Sequence, residues 1–391
     1  MGTDSLKKHS INWFPVLLFL IAIVTWRGDY YRLSLYVAIP ILIVVAFFRW
    51  GKNIFNSRYW WLFFLLIVWM LLSALVNDHR STSFQRMIPV LASFLLSFSV
   101  YAIALKGDNA KVLYLSYCVF FFVLMYLSIT KTGFIQDFDY SNERDRESHT
   151  LMDANEYAYY SFFLVISFRM FLECLNKSIS KALLFIIYII LLVITVYVAL
   201  LTAARQVMYL NIPLIFLFIY HDFVRGGNVG NKLLFFIAAI VVIAVGLPVF
   251  DKYYNNSFLA TRSEVSFAED TRSRMMENAM KIAIEHPLFG VGLGADITFS
   301  HNTYTHLASR CGLPALFLYV IILLRFIFTQ FKRWKRAKDS TYFLYLVCGF
   351  FYLVGNFLYN YIDGPFMMAI LFVLIGDSER YHKESLQLQI K

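Results

Sequence analysis

ITVYVALLTAARQVMYLNIPLIFLFIY, residues 194–220, sets one arginine, Arg205, in the break between two long apolar runs. Each run is of membrane-spanning length, so the stretch reads as two spans joined by a very short turn. An arginine at that depth is costly to keep unless it does something, so Arg205 is the first candidate functional residue.

The rest of the chain agrees with a membrane setting. Of 391 residues, 60% are hydrophobic, 19% aromatic and only 15% charged. Soluble domains stay nearer half apolar. The mean hydropathy is +0.62. Apolar runs of roughly 15–25 residues recur about twelve times. Their centres fall near Leu18, Ile41, Leu66, Phe94, Phe121, Leu164, Leu191, Leu214, Ile240, Val320, Leu346 and Leu371, the first and last being the shortest. The fold expected is an all-α polytopic membrane protein, with residues 1–391 forming one integral membrane domain. The first run follows MGTDSLKKHS without a small-residue cleavage site, so it reads as a retained span. No internal repeat, Pro-rich linker or low-complexity tract divides the chain.

Lysine and arginine placement orients the spans. Short basic segments alternate with longer, acid-containing ones. FKRWKRAK (331–338) is the clearest basic segment, and residues 131–156 and 251–300 are the long ones. The positive-inside rule then puts both termini in the cytoplasm and Arg205 in an external turn. The same rule accounts for the net charge of +10, so the basic balance does not point to nucleic acid. The four cysteines, Cys118, Cys174, Cys311 and Cys348, are scattered through apolar surroundings. They show neither metal-site nor disulfide spacing.

Residues 251–300 form the largest external loop, and it contains a helix. EDTRSRMMENAMKIAIEH predicts an amphipathic helix over about 270–286, capped by Asp270 or Thr271 and closed by Pro287 and Gly290. Arg272, Met276, Ala279 and Ala283 share one stripe at helical spacing. Arg274, Glu277, Asn278, Lys281 and Glu285 share another, with the pattern of a solvated face. Arg272 therefore points toward the membrane domain, and Arg274 is the weaker site candidate. Either could be an ordinary surface arginine if taken alone.

HPLFGVGLGA (286–295) spaces three glycines at alternate positions. A nucleotide-binding loop would need a preceding strand and a βαβ unit, and neither is present. A tight re-entry turn explains the glycines better than direct anion ligation. His301 and Asn302 then open the next span, at a helix N-terminus whose dipole favours anions. A histidine there can serve as a general base; its alternative is an interfacial side chain with Asn302 as helix cap. Tyr304, His306 and Arg310 follow on the same helix and can line the same cavity. Asp153 and Glu156 form a capping box before the sixth span. Asp363, in YIDGPF, is first a turn residue. Both aspartates are secondary candidates for substrate binding.

The pattern of TAAR (202–205), TRSRMMENAMKIAIEHPLFGVGLG (271–294) and HNTY (301–304) resembles the bacterial O-antigen ligase and repeat-unit polymerase superfamily. The resemblance spans about residues 153–317. HPLFGVGLG followed by HN is its most specific part. Two positions depart from the usual pattern: Ala204 stands where a serine often precedes the arginine, and Met276 where an aromatic is common. The resemblance implies a membrane-embedded glycosyltransferase of the C type in the bacterial inner membrane, with its active site in the periplasm. It implies an undecaprenyl-diphosphate glycan as donor and a sugar hydroxyl as acceptor, on a lipid-linked repeat unit (a polymerase) or on lipid A-core (a ligase). The closeness of GVGLG to HN and the compact loop favour the polymerase. By resemblance Arg205 and Arg272 hold the diphosphate and His301 activates the hydroxyl. The diphosphate is already an activated leaving group, so no cofactor is expected. The external loops contain no His/Cys cluster, in keeping with no metal. Membrane lipids surround the protein, and a chain-length-regulating partner stays open. A transporter of lipid-linked sugars is the reading from another class. It calls for charges buried along a path through the bundle.

Overall fold

A computed structural model describes residues 11–26, 31–132, 154–175, 179–202, 204–224, 251, 254–255, 271–295, 300–362 and 364–390. These residues are helical, with no strand among them. In chain order the helices are α1 (Trp13–Val24), α2 (Ser34–Phe55), α3 (Arg58–Val76), α4 (Arg80–Ala104), α5 (Asn109–Thr132), α6 (Ala154–Cys174), α7 (Lys181–Thr202), α8 (Arg205–Val224), α9 (Thr271–Glu285), α10 (Thr303–Cys311), α11 (Leu313–Ala337), α12 (Ser340–Leu358) and α13 (Pro365–Ile390).

Eight of these helices, α2–α5, α7, α8, α11 and α12, are long and apolar enough to cross a membrane. The protein is therefore a multi-pass membrane protein. The other expected spans fare differently. The one near Leu18 is the shorter apolar helix α1. Those near Leu164 and Leu371 are the helices α6 and α13, which lie outside the set of eight. The expected span around Ile240 falls outside the described residues.

Local signals in the sequence set the helix ends. Ser57 caps α3 by accepting from the Tyr59 amide. Asp339 caps α12 by accepting from the Thr341 amide at 2.9 Å. Each satisfies a backbone donor that the first helical turn leaves open. The basic run FKRWKRAK ends α11, where Lys338 turns the chain with a left-handed backbone. α13 packs along α4, and its apolar segment from Phe366 to Ile375 is buried on every side. That burial makes it a core helix of the bundle.

One end of the bundle is tied by ion pairs. Arg169 on α6 meets Asp222 at 2.9 Å and Glu173 at 2.9 Å. Asp222 also accepts from Tyr188 and contacts His221 at 2.6 Å. Thr341 donates to Glu173 at 2.8 Å, which joins α12 to the group. Beside it the fully buried Asp377 accepts from Tyr345 at 2.7 Å and pairs with Arg380 at 2.7 Å. Each buried charge here has a partner, as burial demands. Arg205 begins α8 and Asp222 ends it, so Arg205 lies at the opposite end of the bundle.

Candidate active site

The expected helix in the long loop is present as α9, and its faces divide as its sequence predicts. Ala279 and Ala283 are buried and Met276 half-buried, while Arg274, Glu277, Asn278, Lys281 and Glu285 are exposed. Lys281 and Glu277 pair on the exposed face at 3.0 Å. Arg272 lies in the first turn of α9, four residues before Met276; its side chain is outside the described residues.

Asn302 joins α9 to α10. Its side-chain oxygen accepts from the amides of Tyr304 at 2.8 Å and Thr305 at 3.2 Å, capping α10. Its amide nitrogen lies 3.9 Å from the Met276 sulfur. The capping role expected for Asn302 is thus fulfilled, and the buried stripe of α9 rests against the start of α10.

The glycine run forms a re-entry turn laid across the end of α10. Gly290 and Gly292 have left-handed backbones, with φ of 61° and 88°. The Gly290 amide donates to His286, Val291 to the Ser309 carbonyl, and Gly292 to the Arg310 carbonyl at 2.8 Å. The Gly294 amide donates to the Ser83 hydroxyl. With those amides taken by protein acceptors, the run serves as a turn and does not cradle an anion.

Side chains from distant helices hold that turn. The buried Arg310 donates to the carbonyls of Leu293 and Ala295, and Arg86 also donates to Leu293. Ser73 donates to the carbonyls of Phe289 and Arg310. The Trp69 indole donates to Leu288 and Cys311, and its ring stacks on Phe289 at 5.1 Å. Gly312 closes the arrangement at φ 86°, where a Cβ would lie 2.0 Å from the Leu288 carbonyl oxygen.

His301 sits half-buried just before α10, with its ring stacked on Tyr359 at 6.1 Å. Tyr359 belongs to the turn between α12 and α13. Thr303 fixes that turn, donating to the Tyr359 carbonyl at 2.9 Å and accepting from the Tyr361 amide at 3.0 Å. Tyr159, near the start of α6, packs on both tyrosines. Tyr304 donates to the Leu353 carbonyl at 2.7 Å, and His306, two residues further on, is buried.

Arg205 is half-buried at the first position of α8, after the buried, extended Ala204. Six residues on, Asn211 donates to Ser161 on α6 and Thr195 on α7. These contacts place the start of α8 at the end of the bundle where α6 begins. Tyr159 joins that end to His301 through Tyr359. Arg205 and His301 thus share one end, each at a helix N-terminus, where the dipole favours an anion. Asp153 and Asp363 lie outside the described residues.

Tyr159, Tyr359 and Tyr361 were missed in the sequence. Their only signal was aromatic density at two span ends, in NEYAYY (155–160) and YNYID (359–363).

An all-helical, multi-pass membrane protein with an arginine and a histidine at helix starts on one end is the class that fold and site define. Residues 187–320 match the family model described as O-Antigen ligase. That match supports the O-antigen ligase and polymerase superfamily, a group of glycosyltransferase-like membrane enzymes acting on lipid-linked glycans. It contains Arg205, Arg272, His301 and the α10 residues, and it leaves Asp153 and Asp363 outside. No curated protein matches the chain.

Proposed function

We propose that this protein transfers a glycan from undecaprenyl diphosphate to a sugar hydroxyl at the periplasmic face of the bacterial inner membrane. The observation that carries this reading is the placement of Arg205 and His301 at helix N-termini on one end of the bundle, inside the matched region. Arg205 and Arg272 grip the diphosphate. A guanidinium offers two parallel donors to phosphate oxygens and keeps its charge at all working pH values.

In the proposed step the acceptor oxygen attacks the anomeric carbon as the bond from that carbon to the diphosphate oxygen breaks. The lipid diphosphate leaves with the bonding electrons, and the acceptor proton passes to His301. One displacement inverts the anomeric centre. Charge grows on the leaving oxygen in the transition state, where fixed cationic donors contribute most. No metal takes part in this scheme. Asn302, Tyr304, His306 and Arg310 act as positioning residues that hold α10 and the glycine turn under His301. Arg274, on the exposed face of α9, contributes little.

The acceptor we propose is the terminal sugar of a second lipid-linked repeat unit, which makes the protein a polymerase. The compact seam between the glycine turn and α10 supports it. The description of the matching family favours the second reading, a ligase acting on lipid A-core. Glycan analysis of a deletion strain separates them. Single repeats attached to core are expected for a lost polymerase; full-length chains left on undecaprenyl diphosphate mean a lost ligase. Within either reading, Arg205→Ala and Arg272→Ala should lower transfer about a hundredfold. Lysine should rescue poorly. Normal glycan display from a well-expressed Arg205→Ala protein would remove the phosphate clamp.

A further inference from the structure

At the end of the bundle opposite His301, a cleft of about 290 Å³ opens between the α2–α3 turn, the end of α4 and the last turns of α13. Asn53, Asn56, Ser57, Arg58, Tyr101, Leu105, Glu379 and Lys383 line it. Its volume is at the small end of the range for ligand clefts, roughly 300–1,000 Å³.

The polar groups of this cleft differ in their engagement. Glu379 accepts from Tyr101 at 2.6 Å, and Ser57 accepts from the Tyr59 amide. Arg58, Lys383, Asn53 and Asn56 make no side-chain hydrogen bond or ion pair among the described residues. Two cations, two amide groups and the Glu379 carboxylate, which Tyr101 engages, therefore face a common opening with one positive charge in excess. Arg58 also begins α3, where the first-turn amides add a positive dipole.

What lies along α3 identifies the ligand further. Trp61 is three residues past Arg58 and Leu65 seven, on the same helical face. Trp61 is 59% exposed and Leu65 51% exposed. An apolar strip thus runs down a membrane-crossing helix from a cationic cleft at its end. Free phosphate would use the cleft alone. A molecule with an anionic head and acyl chains would use both.

We propose that this cleft binds the phosphodiester headgroup of an anionic phospholipid, with its acyl chains along Trp61 and Leu65. The site is separate from the glycan-transfer end, and its test does not depend on that activity. Basic clefts between helix ends at a membrane surface suit such headgroups, and each basic residue adds to the attraction.

The test uses the purified full-length protein in neutral detergent, with native mass spectrometry counting bound lipid. The probes are dioctanoyl phosphatidylglycerol, dioctanoyl phosphatidylcholine and inorganic phosphate. Phosphatidylglycerol should bind at one saturable site and the other two weakly. Arg58→Gln with Lys383→Gln should weaken that binding about tenfold or more. Lys335→Gln with Arg336→Gln, an equal charge change at the end of α11, should leave it intact. Asn56→Asp, which puts a second carboxylate beside Glu379 in the cleft, should weaken it without removing a cation. Equal binding of phosphatidylcholine would overturn the proposal. So would equal loss in the Lys335/Arg336 variant, or inorganic phosphate binding as tightly as the lipid.

Discussion

Gly290→Ala is the sharpest test of the re-entry turn. Gly290 has φ of 61°, and a Cβ there would lie 2.4 Å from the Arg310 carbonyl carbon and 2.5 Å from the Ser309 carbonyl oxygen. Both obstacles are backbone of α10, so no side-chain rotation relieves them. A left-handed backbone costs an L-residue about 1–2 kcal/mol. Forcing a methyl group into packed surroundings adds about 1–3 kcal/mol. The expected loss is therefore about 2–5 kcal/mol, enough to lower the midpoint of thermal unfolding by roughly 5 °C. Gly51→Ala is the internal control. A Cβ at Gly51 meets only the Phe55 ring, at 3.6 Å. Alanine is also the better helix former, by about 0.5–1 kcal/mol, so that variant should be unchanged or slightly more stable. The assay is intrinsic-fluorescence thermal unfolding in detergent at one fixed scan rate. Because the turn is hydrogen-bonded to α10, Gly290→Ala should also lose transfer activity below its unfolding temperature. If it unfolds at the same temperature as Gly51→Ala, the turn does not hold α10 as described.

Three further outcomes are expected. Asn302→Ala should cost about 1 kcal/mol by removing the cap of α10, whereas Asn302→Asp should keep the cap and nearly all the stability; thermal unfolding of the two reads the difference. Arg169→Met should cost about 3–5 kcal/mol, because Asp222 would remain buried with its cation removed, and its helical signal should melt early in circular dichroism. His382, which contacts Tyr342 at 2.9 Å, has its pKa lowered, first by burial and then by Arg333. The folded state thus takes up a proton less readily than the unfolded one. The His382 contribution is complete above an unfolded value of about 6.5 and is lost as pH falls from there through the lower folded value. Unfolding curves between pH 8 and pH 5 should show a smaller acid-side loss in His382→Gln than in the wild type.

The parts of this fold that were legible are those carried by periodicity and local chain chemistry. Long apolar runs marked the eight membrane-crossing helices because a membrane helix must satisfy its backbone internally and expose apolar side chains. The α9 stripe was legible because Ala279 and Ala283 recur at four-residue spacing on one face while Glu277, Lys281 and Glu285 recur at the same spacing on another. The glycines read correctly as a turn because the surroundings lacked a strand. The partners of that turn were not legible. Trp69, Ser73, Ser83 and Arg86 lie about two hundred residues away, and nothing in their own neighbourhoods distinguishes them from other polar residues at span ends. Tyr359 escaped for the same reason, since its contact with His301 is made by the closing of α12 and α13 around α10. The ion pair joining α6 to α8 was equally hidden: Arg169 and Asp222 lie 53 residues apart, and only the folded chain shows that they meet.

The bundle's ion pairs bear on the choice between enzyme and transporter. A carrier of polar cargo places charged groups along a route through the bundle and changes their partners as it works. The buried charges described here are gathered near helix ends. Arg169, Asp222 and Glu173 form one paired group, and Asp377 with Arg380 forms another beside it. Arg310 is spent on the carbonyls of the glycine turn. Breaking the Arg169–Asp222 pair would strand a charge at a cost of about 3–5 kcal/mol, and with the hydrogen bonds of Thr341 to Glu173 and Tyr345 to Asp377 it pins α6, α8, α12 and α13 together. A bundle pinned at one end suits a fixed site at the other, where catalysis needs donors already in place as charge develops. Arg205 and His301 stand at that other end, on helices whose far ends or neighbours are clamped. The architecture therefore favours a stationary transfer site over a moving path.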